Sequence, residues 1–509
     1  MNRLVAVGAC IFCLSCLACT DARTPRQLAE DAVGAMGGRE KLQTIRTISM
    51  KGGTGTRLRM GQLVHAGDKE APGQLKNVVE IVDLAGGRAS LDYELTNGDF
   101  MQHRHEVVTK RGDTPIGIDY VGTRPVIATS PGGLFSWGTQ NSPEMLLRRN
   151  VVTIALAAAN TASDSQRAED RQLDAKTYRY SKAKTTSGED VGLYFDPQSK
   201  LIAAFETIDT ETMMGDVPAQ YILSDYKTVD GVMLPHHITV RKGGTLYSEV
   251  QFTSAAINDP AAEHVFAIPD AASKEAERAA AGEYTPLELQ KVAEGVYFAR
   301  AYSHHSMIVE FPAWLAVVEA PYTETQTRVL VRLAQDQFPG KPIRYAAVTH
   351  HHFDHTGGVR AMAAQGATIL VEKRHEEPLR ALLEARHSNP PDDLDKARSA
   401  EPPRPTGSIE TYEEKKVISD GGQSLELYAI TGSPHVDPMV LAYVPKSRVL
   451  FQSDLFFPGT GGGGPLAEHL LAAIRDLNLR VDTMVGGHGG VGSFDELVKA
   501  VAPKPRSTN

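Results

Sequence analysis

Beyond residue 19 the sequence contains no cysteine: all four, Cys10, Cys13, Cys16 and Cys19, stand at the extreme N-terminus. The folded remainder cannot form an internal disulfide, and its stability has to come from packing. Past the N-terminus there is also no apolar run close to the roughly 20 residues that a helix needs to cross a bilayer. The bulk of the chain is therefore expected to be globular. Long basic tracts are missing as well. With 53 Lys and Arg against 62 Asp and Glu, the chain offers no stretch suited to neutralising a phosphate backbone, so nucleic acid is not an expected partner. Nucleotide signatures are absent too. The segment 458–465 holds five glycines, yet it lacks the Lys-Ser/Thr ending of a P-loop and the strand-Gly-helix pattern of dinucleotide sites. It reads as a mobile flap beside Asp454.

At 509 residues the chain exceeds the size at which one hydrophobic core keeps growing, and two folded units are expected. Arg3, an apolar stretch over residues 4–18 and the polar Thr20-Asp21 read as a secretory signal, which implies export to the periplasm. Leu17-Ala18-Cys19 resembles the lipobox of bacterial lipoproteins, although Cys16 occupies a position where such boxes usually carry Leu. Lipid anchoring at Cys19 and plain cleavage near Ala22 both stay open. The expected division is a signal over 1–22, a β-rich domain over 23–284 and a second domain over 285–509.

In the first domain an amphipathic pattern from Pro25 to about Leu42, with Gly37-Gly38 near its end, predicts one helix. Alternating segments at 191–195, 201–207, 221–226, 237–241 and 248–253, separated by turn pairs such as Asp196-Pro197 and Asp230-Gly231, predict an antiparallel sheet. A helix is expected over 145–158. The run DYKTVDGVMLPHHITV, with FAIPD at 266–270, resembles the sheet of periplasmic lipoprotein-carrier proteins, a half-barrel that holds apolar cargo. His236 and His237 read as a partly exposed pair in a strand. This half serves either as a scaffold or dimer surface, or as a wall shaping access to a neighbouring site. Residues 271–284, rich in Ala and Glu, read as the connection.

The chemistry lies in the second domain. After strands at 295–299, 306–311 and 315–318 and a helix at 328–336, the short strand 343–348 runs directly into Thr349-His350-His351-His352-Phe353-Asp354-His355-Thr356-Gly357-Gly358. His350, His352, Asp354 and His355 spell H-x-H-x-D-H. Neutral imidazoles and carboxylates are what a borderline-soft divalent cation takes. Period-two spacing puts His350 and His352 on one side of an extended chain, and the glycines permit a tight turn before a helix at 359–364. His435, Asp454 and His488 each follow a predicted strand, which is how a sheet gathers distant residues at one rim. His304 and His305, at the start of an early strand, and His351, between two ligand positions, are the candidate substrate contacts; a solvent-facing turn is the plainer reading of the first two.

The order of these residues resembles the metallo-β-lactamase superfamily of αββα sandwich hydrolases, over roughly residues 286–509. The resemblance implies that His350, His352 and His435 hold a first metal ion, that Asp354, His355 and His488 hold a second, and that Asp454 bridges them. It implies two zinc ions, with iron or manganese as the other choices, and metal-assisted hydrolysis in which Asp354 also orients the nucleophile or accepts its proton. Glu319 departs from the superfamily, which often has Asp there. Asp454 favours the branch that includes lactonases over the commonest β-lactamases. A small lactone or ester is thus the expected substrate, with a periplasmic β-lactamase as the alternative, and an apolar-ligand carrier with a non-catalytic metal domain as the alternative of another class. The oligomeric state is open.

Overall fold

The computed structural model describes residues 23–502 except 59–71, 98–99, 112–113, 122–123, 129–142, 166, 268, 271–273, 275–286, 302–303, 389–390 and 461–462. The expected signal over 1–22 lies outside the described residues, as does most of the expected connection at 271–284.

The expected single helix at 25–42 is two. Thr24 caps Pro25–Ala35 through a reciprocal capping box with Gln27, and the helix stops at Met36 because Gly37 and Gly38 take φ of 128° and 91°. Arg39–Gln43 then starts a separate short helix. The helix expected at 145–158 is likewise divided, into Pro143–Arg148 and Val151–Thr161, because Asn150 turns its side chain back to cap the Val152 amide.

The strands of the N-terminal half form one antiparallel sheet of 14 strands, ordered as two meanders. One runs from Thr47–Arg57 out to the edge strand Arg124–Ala128; the other runs inward from the edge strand Glu169–Leu173 to Thr245–Gln251. They join where Thr47–Arg57 pairs with Thr245–Gln251, in the register Thr54 to Gln251. Leu28, Ala32 and Val33 of the first helix and Ile154, Ala155 and Ala158 of the fourth pack with Leu193, Phe205, Leu223 and Phe252 into one core over the sheet. The His236-His237 pair departs from its expectation. His236 is buried, with its Nδ1 3.0 Å from the Leu234 carbonyl, because alternation in the strand Val232–Lys242 turns it inward. His237 bonds Ser224 and Glu249.

Beside that core is a cavity of about 130 Å³ walled by Ile48, Leu223, Ile238 and Phe252, with Glu80 on its lining. Burial pushes the Glu80 carboxyl up to about 7. A carboxyl whose folded pKa exceeds its unfolded one contributes stability that is complete at low pH and is lost as pH rises through the folded value. The wild-type melting temperature is therefore expected to fall between pH 5 and 8 relative to that of Glu80→Gln, and parallel curves for the two proteins would contradict this.

The C-terminal half has four layers. A seven-stranded sheet from Glu288–Ala293 to Ile409–Tyr412 faces a six-stranded sheet from Lys415–Asp420 to Val491–Ser493. Phe298, Val309, Val318 and Leu370 of the first interleave with Leu427, Ala442, Phe451 and Val485 of the second. Helices Glu324–Gln337, Val359–Ala364 and Glu376–Glu384 cover one outer face, and Pro465–Asp476 and Phe494–Val501 cover the other. This is the αββα sandwich expected from the sequence. Leu315–Val318, Ile343–Ala347 and Thr368–Glu372 run parallel, as do Val449–Gln452 and Thr483–Gly486, so several strands of both sheets end on one rim.

The two halves touch close to that rim. Met213, in the turn between the strands Ile202–Glu211 and Gly215–Val229, is 3% exposed and belongs to the C-terminal core that contains Tyr322, Phe353 and Val359. Its sulfur lies 3.7 Å from Thr356 Oγ1. The Asp216 amide donates to the Arg386 carbonyl at 2.7 Å, and its carboxylate accepts from the Ser388 amide at 3.1 Å. The base of this hairpin is held by a buried ionic cluster in which Lys242 meets Glu211 and Asp209, and Arg149 meets Asp209. Met213→Ala is expected to cost about 2–4 kcal/mol, the usual loss for emptying a buried Met site. Denaturant unfolding of the full chain measures it, and a cost under about 0.5 kcal/mol, typical of surface positions, would show that the contact is superficial.

Candidate metal centre

Five loops at strand ends supply the site. The loop after Ile343–Ala347 carries His350, His352, Asp354 and His355, the last two on the one-turn helix Phe353–Thr356. Gly357 is required there by close approach, since a Cβ on it would stand 1.9 Å from the Tyr322 carbonyl oxygen. His435 follows Gln423–Ile430, Asp454 follows Val449–Gln452, and His488 follows Thr483–Gly486. His304 precedes Ser306–Glu310.

The side chains converge as two groups. In each, ligand atoms lie within 4.8 Å of one another: His350, His352, His435 and Asp454 in one, and His304, Asp354, His355 and His488 in the other. Asp454 stands between them. Its Oδ2 is 2.8 Å from His435 Nε2 and 3.2 Å from His355 Nε2, and its Oδ1 is 2.6 Å from His488 Nε2. Asp454 and Glu319 both take left-handed backbone conformations, with φ of 58° and 66°, a strain that non-glycine residues tolerate where a site demands it.

The residues present fit divalent cations. His350 Nε2, His352 Nδ1, Asp354 Oδ1, His355 Nε2 and Asp454 Oδ1 are buried without a hydrogen-bond partner. Buried polar atoms are nearly always paired, and here five orphans share one place, near each other but not aligned for hydrogen bonds. Two cations, one in each group, would satisfy all five. Their donor chemistry, imidazole and carboxylate, is that of zinc sites.

The electrostatics agree. Burial pushes His352 down to about 3 and His350 well below the usual histidine range, which leaves both rings neutral as ligands must be. Burial alone would raise Asp354 and Asp454, yet His355 beside both, with His304 for the first and His488 for the second, holds both carboxyls well below their ordinary range. His355 is the opposite case. Burial opposes its charged form, but the carboxylates of Asp454, Glu319 and Asp354 raise its pKa well above the ordinary value. Three carboxylates around one buried ring mark a place suited to positive charge.

Glu319, set apart in the sequence as a departure, organises the site. It accepts from Thr349 Oγ1 at 2.5 Å and from His355 Nδ1 at 3.0 Å, while Thr349 Oγ1 lies 3.1 Å from His350 Nδ1. With Nδ1 of both rings so engaged, each directs Nε2 inward. The sequence reading missed Thr349, Ser453 and His375. Ser453 Oγ is 3.0 Å from His355 Nδ1. His375 Nε2 bonds the Pro438 carbonyl, and its Nδ1 accepts from His351 at 3.1 Å. Adjacency to Asp454 and His350 was the only sign of Ser453 and Thr349; nothing in the sequence pointed to His375.

The three candidate substrate contacts are dispersed. His351 is buried against His375. His305 accepts from the Ala301 amide at 3.1 Å and bonds the Gly489 carbonyl at 2.9 Å, so both its ring nitrogens are used by backbone. His304 alone joins a metal group. In the 458–465 segment, Pro458 packs on Gly486 and Gly489, and the Phe457 ring lies 4.9 Å from that of His488.

An αββα sandwich that gathers histidines and aspartates on one strand-end rim defines the class of metal-dependent hydrolase domains. Residues 316–488 match the model of the metallo-beta-lactamase superfamily. Among solved structures, a metallo-beta-lactamase from Pontibacter korlensis is 19% identical, with 42% of this chain and 95% of that chain aligned at a TM-score of 0.33. One from Hirschia baltica is also 19% identical, over 42% and 96%, at 0.33. A stereoselective inverting sec-alkylsulfatase from a Pseudomonas species is 17% identical, over 42% and 41%, at 0.32. No protein of the curated set matches the chain.

Proposed function

We propose that this chain is an exported, dinuclear, zinc-dependent hydrolase acting on a small lactone or ester. One observation carries the reading: two groups of ligand-type side chains with orphaned buried atoms flank one carboxylate, Asp454, that faces both. His350, His352 and His435 would hold one ion, Asp354, His355 and His488 the other, and Asp454 both. Ions bound there would supply a water of lowered pKa and a Lewis acid for the substrate oxygen. The protein's own part is positioning and proton transfer. Glu319 and Thr349 fix the ring orientations of His355 and His350. Asp354 is ionised at neutral pH, so beside holding an ion it can orient the water and take the proton given up as water adds to the acyl carbon. That proton is then available to the alkoxide released when the acyl C–O bond breaks. The export part of the reading is supported by Arg3 and the apolar stretch that follows it at the N-terminus.

The carrier reading has weaker support. The cavity beside the core of the N-terminal sheet is about 130 Å³, below the roughly 300–1,000 Å³ of ordinary ligand pockets, and a groove of about 700 Å³ on the same sheet has Arg171, Lys182, Asp190, Glu206 and Arg241 in its lining, which suits apolar cargo poorly.

Metal analysis of the purified protein, with turnover of lactones, esters, β-lactams, sulfate esters and phosphodiesters before and after chelation, tests the proposal. Two zinc ions per chain and lactone or ester hydrolysis that chelation abolishes and zinc restores are expected. A chain that binds no metal, or a rate indifferent to chelation, would refute it.

A further inference from the structure

We infer that His304 is a fourth protein donor to the second metal ion, which makes that set complete without Asp454. This rests on the dinuclear reading above and extends it to a residue outside the H-x-H-x-D-H motif and its three distant partners.

The argument is one of donors and geometry. Without His304 the second set has Asp354, His355 and His488 and must draw on Asp454 for a fourth donor, whereas the first has three imidazoles with the same carboxylate beside them. Zinc sites built by proteins are almost always four-coordinate. His304 supplies the missing donor: its ligand atom lies within 4.8 Å of those of Asp354, His355 and His488. Its Nε2 is 3.2 Å from Asp354 Oδ2, and its ring is packed edge-on against that of His488 with centroids 3.9 Å apart. Two imidazoles and a carboxylate so crowded are arranged as ligands around a common centre rather than as a solvent-facing turn.

The residue is also held for the task. His304 is 3% exposed, and its carbonyl accepts from Gln326 Nε2 at 3.0 Å. Its ring meets Tyr322 edge to face at 4.2 Å. Gln326 and Tyr322 precede and open the helix Glu324–Gln337, so the ring is braced from an element that carries no other candidate ligand. Its neighbour His305 points to backbone groups instead.

Two lesser roles compete: a substrate contact, and a hydrogen-bond donor that merely orients Asp354. Zinc titration of the metal-free full chain against a chromophoric chelator separates them. Wild type should take up two ions. His304→Ala should bind the first as wild type does and the second about a hundredfold or more weakly, beyond the roughly 10–100-fold that loss of an outer hydrogen-bond partner costs. His304→Gln keeps a donor toward Asp354 and should behave like His304→Ala. Restored binding in His304→Gln would reduce the residue to an orienting role and overturn the inference. So would unchanged binding of both ions in His304→Ala, or loss of both ions in both variants. Wild type that binds fewer than two ions would sink the dinuclear reading itself, an outcome visible before any variant is made.

Discussion

Asp454→Ala is expected to lower turnover by about a thousandfold or more, equivalent to some 4 kcal/mol of activation barrier, and to reduce bound zinc from two ions per chain to one. No other carboxylate among the described residues has its two oxygens facing the two ligand groups, one 2.6 Å from His488 and the other 2.8 Å from His435. Removing it leaves the first set with three imidazoles and strips the negative charge that would offset two cations. The second set would keep His304, Asp354, His355 and His488, so the surviving ion should be that one. Asp454→Asn preserves shape without charge and should resemble Asp454→Ala. Metal content with initial rates on the substrate that wild type accepts checks this. A variant that keeps two ions and most of its rate would show that Asp454 is not shared.

Glu319→Ala comes next in size. Its carboxylate is 1% exposed and reaches both ligand sets, His355 directly and His350 through Thr349. Taking it away frees the Nδ1 side of both rings, and loss of such outer partners typically weakens metal binding about 10–100-fold. Both ions should therefore be affected, in contrast to the selective effect expected at His304. Glu319→Asp keeps the charge but is one methylene shorter, so it should bind zinc between wild type and Glu319→Ala. Zinc affinities of the three proteins decide the matter, and equal values would mean the rings are oriented by packing alone.

Much of the site was legible because metal chemistry restricts residue type and because ligands gather where strands end. H-x-H-x-D-H directly after an apolar strand, with His435, Asp454 and His488 each behind another, could be read without knowing how the sheets pair. His304 and His305 show where reading stopped. They are the same residue in adjacent positions, yet one faces Asp354 and the other the Gly489 carbonyl. Direction at a strand's entrance depends on what the rest of the fold places on either side. Glu319 appeared in the sequence as an irregularity, and its reach to two histidines depends on a left-handed backbone that no local pattern announces.

The sequence by itself determined the residue types of the candidate centre and the antiparallel character of the first half, which follow from ligand chemistry and local periodicity, while the αββα class of the second half was implied by the resemblance that the motif order carries. Tertiary structure alone decided three further features. One is the joining of the strand Thr47–Arg57 to Thr245–Gln251, nearly 200 residues away. Another is the insertion of Met213 beneath the ligand loop. The third is the entry of His304 into the group formed by Asp354, His355 and His488. Each depends on contacts between segments distant in the chain, and such contacts leave no periodic trace in either partner because they are selected by the packing of the whole core.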